Sequence, residues 1–292
     1  MQKLKYINPN GREVNIGLSP PYIFEKISGI GAEDADLVTT EPAMLNGTAF
    51  HGLYVKDREI TLSMHIYGRT RGEMYGNRQA LISTLSSNMS AGGQLGRLEY
   101  TNDFLTVWIP AIVKRGPQAT ERAGNYNKSV QVVFYCPDPF WRAMTPEINK
   151  IAYIGGGLTF PLEIDSVAGV VFGAQGFEAR MFNSGDSPAP LRITITGPST
   201  EPQVVKVATS EYIKVKRELY EGDVLTINTQ PGGRTVKIQR SGGELEDAFG
   251  YIDLTSTFFL LSPGANTLRY VTGDASTTAA ILLEAYSRYG GV

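Results

Sequence analysis

Two-residue alternation of apolar and polar side chains dominates this chain and predicts half-buried β-strands. The clearest case covers residues 60–67, where Ile60, Leu62, Met64 and Ile66 fall on one face and the polar residues between them on the other. The same spacing recurs around 105–109, 130–136, 191–195 and 281–285. A hairpin is predicted where Val224–Thr229 and Val236–Gln239 flank the turn sequence Gln230-Pro231-Gly232-Gly233. The pattern therefore predicts a mainly β protein.

One segment has helical periodicity. Thr70 followed by Glu73 is a capping-box signature, which places the start of a helix. An apolar stripe of Met74, Leu81, Ile82 and Leu85 follows, and Ser86-Ser87-Asn88 is predicted to end the helix. Gly76 inside it costs about 1 kcal/mol relative to alanine. We expect this helix to be stabilised by packing on a sheet.

The length and the punctuation of the chain predict two domains, 1–150 and 151–292. Prolines at 137 and 139 interrupt the last strand of the first half, because proline cannot donate to a ladder. Gly155-Gly156-Gly157 then offers a flexible joint. We expect a sheet with one helix in the first domain and strands alone in the second.

The composition excludes several function classes. The net charge of −2 comes without a dense basic patch, which argues against nucleic-acid binding by charge. No secretory signal and no run of about 18 apolar residues is present, so we expect neither secretion nor membrane insertion. One cysteine excludes an intrachain disulfide, and together with two histidines it leaves too few ligands for a zinc site. The sequence predicts no metal and no cofactor.

Candidate catalytic groups are few. His51 and His65 are the only imidazole bases, and His65 alternates with polar residues on a strand, where a surface or interface role is far more common than catalysis. Cys136 is in phase with Val132 and Phe134, so we interpret it as a small buried residue. Neither glycine cluster continues as a phosphate-binding or dinucleotide-binding motif. We predict no catalytic residues and no enzyme activity.

The segment Ala32–Lys56 is polar and carries few residues for a core of its own domain. Its pattern is that of a strand, a turn at Pro42–Gly47 and a second strand. One interpretation is a solvated surface hairpin, and the other is an arm that reaches onto a neighbouring subunit. The candidate arm residues are Asp36, Thr40, Leu45, His51 and Tyr54.

Several motifs, taken in order, resemble one family. The first half has a glycine-rich opening (Gly29-Ile30-Gly31), the polar segment, the strand Arg58-Glu59-Ile60-Thr61-Leu62, a helix and three more strands, and ends on a turn that contains Pro137, Asp138 and Pro139 before Phe140-Trp141. The second half has turns at Gly185-Asp186, at Gly222-Asp223, and at Pro263-Gly264 with Asn266. In the motif that begins at Gly222, Asn228 stands where the family usually has Asp. Together these features resemble the distal tail proteins of long, non-contractile-tailed bacteriophages, also called phage tail family proteins.

The resemblance implies a tail-tube-like N-terminal β domain and a galectin-like C-terminal β-sandwich. It also implies a structural role, in which six copies form a ring at the distal end of the phage tail. The implied partners are other copies of the chain, the tail tube protein, a tail-tip, tail-fibre or tail-lysin protein and receptor-binding proteins, with DNA passing only through the channel. Such a protein is assembled in the host cytoplasm and resides in the virion.

A function of another class stays open from the residues alone. An all-β second half suits a carbohydrate-binding module that contacts host cell-wall glycans. Sugar stacking usually needs an exposed aromatic ring, however, and both tryptophans, Trp108 and Trp141, lie in the first half. The remaining candidates in the second half are Tyr212, Tyr251 and Tyr286, which core or interface packing explains more simply.

Overall fold

The computed structural model describes residues 2–41, 46–86, 93–119, 121–124, 126–151, 177–273 and 279–292. The chain divides into two compact units, and each has its own hydrophobic core. Unit 1 contains Met1–Met144 together with Tyr289–Val292, and unit 2 contains Thr145–Arg288. Strands dominate both, so the mainly β fold predicted from the alternation is confirmed.

Unit 1 is built on an antiparallel sheet whose strands follow the order β2-β1-β7-β8-β10-β6-β3. The short strands β9 and β11 pair beside it with β10 and β8. Its elements are β1 (Lys3–Ile7), β2 (Glu13–Ile16), β3 (Tyr22–Ser28), β4 (Ala35–Thr40), β5 (Ala49–Val55), β6 (Arg58–Tyr67), α1 (Arg71–Ser86), β7 (Gly96–Thr101), β8 (Thr106–Gln118), β9 (Glu121–Ala123), β10 (Tyr126–Cys136) and β11 (Trp141–Ala143).

Strand β6 shows why the alternating sequence forms a sheet. Its inward residues Ile60, Leu62, Met64 and Ile66 are fully buried, and the residues between them are half-buried or exposed. Strand β10 pairs with β6 in register, with Val132 opposite Leu62. The core of unit 1 therefore collects side chains from one face of the central strands.

Helix α1 begins as its capping sequence predicts. The Thr70 hydroxyl accepts a hydrogen bond from the Glu73 amide at 3.1 Å, and the Glu73 carboxylate accepts one from the Arg69 amide at 2.8 Å. The helix buries Met74, Leu81 and Leu85, whereas Ile82 is only half-buried at the edge of the stripe. Ser87 and Asn88, predicted to end the helix, lie outside the described residues.

Unit 2 has two principal antiparallel sheets, with the orders β12-β23-β14-β19-β20-β21 and β13-β22-β16-β17. Their inward faces supply one core, from Met181 and Leu191 to Leu283. The remaining elements of the chain are β12 (Glu147–Ile151), β13 (Glu178–Asn183), β14 (Leu191–Thr196), β15 (Ser199–Thr200), β16 (Gln203–Lys206), β17 (Glu211–Lys214), β18 (Glu218–Leu219), β19 (Val224–Asn228), β20 (Thr235–Gln239), β21 (Leu245–Asp247), the 3-10 turn Phe249–Tyr251, β22 (Gly264–Val271), β23 (Ala280–Ala285) and β24 (Arg288–Tyr289). The hairpin predicted around Pro231 is formed by β19 and β20.

The division of the structure differs from the boundary predicted at residue 150. Residues 147–151 form β12, which pairs with β23 and so belongs to unit 2, because a strand belongs to the sheet that satisfies its backbone. The last four residues belong to unit 1, which no sequence pattern indicated. The predicted joint Gly155–Gly157 lies outside the described residues.

Replacing Leu62 with alanine should destabilise unit 1 by about 2–5 kcal/mol, because it removes buried methylene groups and leaves a cavity. Both tryptophans of the chain lie in unit 1, so their fluorescence during urea denaturation reports on this unit. The matched control is Thr61→Ala, on the opposite face of the same strand, which should cost about 1 kcal/mol or less. Equal losses in the two variants would contradict the assignment of the inward face.

Candidate functional site

Strands β4 and β5 form a hairpin that belongs to no other sheet. Leu37 lies opposite Leu53, and Thr39 lies opposite Phe50. The register shifts between Val38 and Thr39, so β5 has one extra residue there, as in a β-bulge. The hydrophobic core of unit 1 includes no residue of this hairpin. Its described residues are therefore presented to solvent on an otherwise compact unit.

One face of the hairpin is apolar. Opposed residues in an antiparallel pair share a face, which places Leu37, Leu53 and Phe50 together, beside the pair Ala35 and Val55. The exposed fractions of Leu37, Phe50 and Leu53 are 63%, 64% and 57%. Three large apolar side chains on one exposed face are the signature of an interaction surface.

The other face of the hairpin carries one exposed apolar side chain, Val38, and otherwise has polar groups that bond to one another. The Tyr54 hydroxyl donates to the Asp36 carboxylate at 3.0 Å, and Lys56 pairs with the same carboxylate at 2.6 Å. The hydrogen bond from Lys56 lowers the pKa of Asp36. His51 Nε2 and Thr40 Oγ1 lie 2.9 Å apart across the strands. Four of the predicted arm residues thus brace the hairpin.

The fifth predicted arm residue, Leu45, lies outside the described residues. Leu37, Phe50 and Leu53 were not among the residues predicted for the arm. A signal for them was present, because all three are large apolar residues in a polar segment.

Both ends of the hairpin are held at the buried side chain of Arg58, the first residue of β6. Its guanidinium donates to the carbonyl oxygens of Gly29 at 2.8 Å, Gly31 at 2.6 Å and Pro139 at 2.8 Å, and also to that of Gly290. Burial lowers the pKa of Arg58, yet an arginine stays charged in a protein. One cation therefore ties together four separate segments of unit 1.

The glycine-rich opening fits this arrangement. Gly29 has φ of +84°, and a side chain on it would collide with the backbone carbonyl of Glu59. Glycine is needed there because only it adopts this conformation and this approach without strain. Gly29-Ile30-Gly31 and Arg58 belong to separate motifs of the family resemblance, and the structure brings them into direct contact.

The proline turn after β10, Pro137-Asp138-Pro139, also binds Arg58, through the Pro139 carbonyl. Pro139 is buried and offers its carbonyl, while Asp138 pairs with Arg142 at 2.6 Å. Trp141 is fully buried, with its ring 6.1 Å from that of Tyr100. Pro137 is exposed at the turn. The Pro-Asp-Pro-aromatic motif therefore packs Trp141 into the core and presents the Pro139 carbonyl to Arg58.

In unit 2, the Gly222-Asp223 motif forms a second buried charged centre. Asp223 accepts hydrogen bonds from the amides of Tyr220 and Ser241, both at 3.0 Å, and from Arg240 at 2.7 Å. Burial alone would raise the pKa of Asp223, but these three donors outweigh it and lower the pKa. Gly222 has φ of +84°, which the tight turn requires.

The other two family turns of unit 2 are also held by internal bonds. Asn183 donates to the carbonyls of Ser187 and Leu261, at 2.8 and 3.2 Å, and accepts from the Gly185 amide at 3.1 Å. Any side chain on Gly185 would strike the carbonyl of Arg288. Asp186, at the turn surface, accepts a bond from the Ser187 hydroxyl.

Asn266 has the same role in the last motif. It accepts from the Ser262 amide at 3.0 Å and donates to the carbonyls of Ser262 and Gly264, at 2.8 and 3.0 Å. Gly264 has φ of +86°, and Pro263 is exposed between them. The motif turns thus build the scaffold and bring no two candidate reactive groups together.

Sequence reasoning assigned no role to Arg58, Asn183 or Arg240. A signal existed for Arg58, because it alternates in phase with Ile60 and Leu62 and so occupies an inward position. The carbonyl oxygens that receive its hydrogen bonds carry no sequence signal, since every residue has one.

Cys136 and His65, the candidate reactive groups, lie in surroundings that explain them as structural residues. Burial raises the pKa of the Cys136 thiol to about 12, so the thiolate is scarce at neutral pH. His65 Nδ1 accepts a hydrogen bond from the Ser129 amide at 3.2 Å. Among the described residues, no group of three His, Cys, Asp or Glu side chains is placed to hold a metal ion, and no helix is long and apolar enough to cross a membrane.

Replacing Arg58 with methionine should destabilise unit 1 by roughly 3 kcal/mol or more, because several buried carbonyls lose their donor at once. Arg58→Lys should recover only part of this, since an ammonium lacks the planar fork of a guanidinium. Tryptophan fluorescence in urea measures both. The control is Arg12→Met, at an exposed arginine of the same unit. A stability equal to that of the control would refute the anchoring role.

Asp223→Asn should destabilise unit 2 by roughly 1–3 kcal/mol at pH 7, through its weakened acceptor bonds. The folded-state pKa of Asp223 lies below the ordinary 3.8, so this stabilisation is complete above about pH 4 and is lost as the pH falls through the folded pKa. Calorimetric unfolding should show the two proteins converging in acid. Glu221→Gln, in the same turn and exposed, should leave the profile unchanged. A difference between wild type and Asp223→Asn that stays constant into acid would contradict the assignment.

Comparison with known proteins agrees with the motifs. A family model described as the siphovirus-type tail component, C-terminal domain, matches residues 184–285. No curated protein matches the sequence. This family match covers the three turn motifs of unit 2.

Solved structures with a similar fold cover nearly the whole chain. The Dit protein of phage SPP1, described as a paradigm of hub adsorption apparatus in phages that infect Gram-positive bacteria, is 13% identical with a TM-score of 0.66, covering 97% of this chain and 98% of its own. The phage p2 baseplate in its activated conformation with calcium contains a chain that is 15% identical with a TM-score of 0.55, covering 100% and 99%. The phage p2 baseplate with strontium contains a chain that is 15% identical with a TM-score of 0.53, covering 97% of this chain and 97% of its own. Residues 184–285 thus match the siphovirus-type tail component model, the whole chain has a Dit-like fold, and the resemblance to phage distal tail proteins is confirmed.

Proposed function

We propose that this protein is a structural component of the virion, a distal tail protein whose copies close into a ring at the end of the tail. The ring joins the tail tube to the tail tip or baseplate and leaves a channel for DNA. The family match and the Dit-like fold support the placement in the tail. The observation that carries the ring itself is the hairpin β4–β5, whose apolar face projects from unit 1 without a partner in the core.

The hairpin is the intersubunit arm in this proposal. Burying a leucine or phenylalanine side chain against another protein removes apolar surface from water, at about 1.5–3 kcal/mol for each fully buried residue. Leu37, Phe50 and Leu53 together supply a contact large enough to repay the ordering of a hairpin. A closed cyclic ring needs such a heterologous interface, in which one surface of each copy meets a different surface of the next.

The two units have different roles in this proposal. Unit 1 forms the ring and has a tail-tube-like fold, while unit 2 forms a galectin-like sandwich. The ring meets the tail tube protein on one face and a tail-tip, tail-fibre or tail-lysin protein on the other. Receptor-binding proteins dock on the sandwich, and assembly takes place in the host cytoplasm. The chain catalyses no reaction and needs no cofactor.

In this proposal the sandwich acts as an adaptor, and Tyr212, Tyr251 and Tyr286 do not form a glycan site. The three tyrosines that would serve a sugar site are half-buried, which supports this inference. Tyr212 shares a hydrogen bond with Thr255, and the ring of Tyr251 packs on the core with the Arg217 guanidinium 4.7 Å from its centre. Tyr286 is also engaged in interactions of its own. Rings already covered in this way are poor platforms for stacking a sugar.

Changing Leu37 and Phe50 together to aspartate should prevent ring closure, because charges in the interface would have to be desolvated. Six copies of 31.8 kDa give a particle of roughly 190 kDa, which light scattering distinguishes from the monomer. The matched control is Leu245→Asp, in unit 2, since Leu37 and Leu245 are both 63% exposed.

A second variant lacks residues 36–55 and should leave β6 and the strands after it folded but monomeric. Closed rings from either the double variant or the deletion would refute the arm. Loss of rings in the Leu245→Asp control as well would show that the double variant acts through general surface properties.

A further inference from the structure

The last four residues of the chain, Tyr289–Val292, fold onto unit 1 at the base of the hairpin. Val292 donates its amide to the Ile30 carbonyl at 3.0 Å, and the Gly290 carbonyl accepts from Arg58. Tyr289 and Val292 pack against the core of unit 1, and Gly290 is buried. We call this segment the tail clip.

Two glycines let the tail clip lie flat in its groove. A side chain on Gly291 would come within 2.7 Å of the Gly31 carbonyl carbon and 2.8 Å of the Ala32 amide nitrogen. Both are backbone atoms, which cannot swing aside. At Gly290 a side chain would meet the carboxylate of Glu33. The groove therefore excludes a side chain at position 291, whereas at position 290 the Glu33 side chain could move aside.

The groove is also the root of the hairpin. Residues 29–34 lead directly into β4, and only two residues, Lys56 and Asp57, separate the end of β5 from Arg58. The Lys56 amide donates to the Asp34 carbonyl at 2.9 Å, which closes the hairpin at this end. The tail clip contacts Ile30, Gly31 and Glu33 on one side of this closure and Arg58 on the other.

We propose that the tail clip is a positioning element for the assembly arm: by docking on Ile30, Gly31 and Arg58 it fixes the root of the β4–β5 hairpin. The role of the hairpin in the ring rests on the proposed function, whereas the docking itself does not. The clip follows unit 2 in the chain, so the arm acquires a fixed root only after unit 2 has been synthesised.

The test compares Gly291→Ala with Gly116→Ala in the full chain. Gly116 lies on β8 of the same unit with open space around its Cβ position, so it is a matched control. Amide hydrogen exchange is measured at Val292 and Lys56, which report on docking and on the hairpin root. We expect both amides to exchange roughly tenfold or more faster in Gly291→Ala, with the Leu62 amide in β6 unchanged.

Each outcome decides the proposal. Unchanged exchange at Val292 would show that docking of the tail clip does not depend on the glycine fit. Faster exchange at Val292 with unchanged exchange at Lys56 would show that the hairpin root is independent of the clip. Either result overturns the proposal. If Gly291→Ala also exposes Leu62, the milder Val292→Ala is measured in its place against the same criteria.

Ring assembly is followed separately by light scattering. We expect the concentration for half-assembly to rise about tenfold in Gly291→Ala, by analogy with the loss of preorganisation in other complexes. A wild-type chain that never forms rings refutes the proposed function, while the exchange data still decide whether the clip fixes the hairpin.

Discussion

The buried guanidinium of Arg58 is the interaction on which unit 1 depends. A charge inside a protein is costly unless it is hydrogen-bonded, and Arg58 makes four hydrogen bonds to backbone carbonyls instead of pairing with a carboxylate. Its partners lie in the glycine opening, in the proline turn and in the tail clip, segments that are far apart in sequence. None of these segments is a regular strand at the point of contact, so the sheet hydrogen bonds alone would not fix them. The motifs of the first half thus form one structural unit around a single side chain.

Unit 2 also has a buried charged side chain that is stabilised by hydrogen bonds, but here the charge is negative. Asp223 is buried at a turn, and two backbone amides and Arg240 supply its donors. Arg240 also pairs with Glu246 at 2.6 Å, which links the turn to β21. The two centres differ in their response to acid, because Arg58 is bound to groups that do not titrate whereas Asp223 is itself titratable. Acid should therefore loosen the turns of unit 2 before it affects the anchor of unit 1.

The alternation of side chains predicted the strands and their buried faces well, because a two-residue period directly reflects which face meets the core. Strand β6 and the helix start at Thr70 follow from the sequence for this reason. The apolar face of the hairpin did not follow, because simple alternation places Phe50 on the same side as Gly52 and Tyr54. The bulge in β5 moves Phe50 to the side of Leu37 and Leu53, and no local pattern announces such a shift. The return of the tail clip to unit 1 was equally invisible, since its hydrogen bonds to Ile30 and Arg58 are made by backbone atoms and carry no sequence signal.

A hairpin without core contacts owes its direction entirely to its root. Its own cross-strand bonds, such as Tyr54 to Asp36, keep the two strands together but do not orient the pair. Orientation matters because association with another protein is opposed by the entropy lost when mobile groups are ordered. An apolar face held on a fixed root has lost much of that freedom before it meets a partner, so more of its burial energy is available for binding. The root is fixed by the buried Arg58 with Gly29 and Gly31, and the exposed Leu37, Phe50 and Leu53 lie beyond it. The root thus orients the hairpin, and the apolar side chains are left to bind the partner.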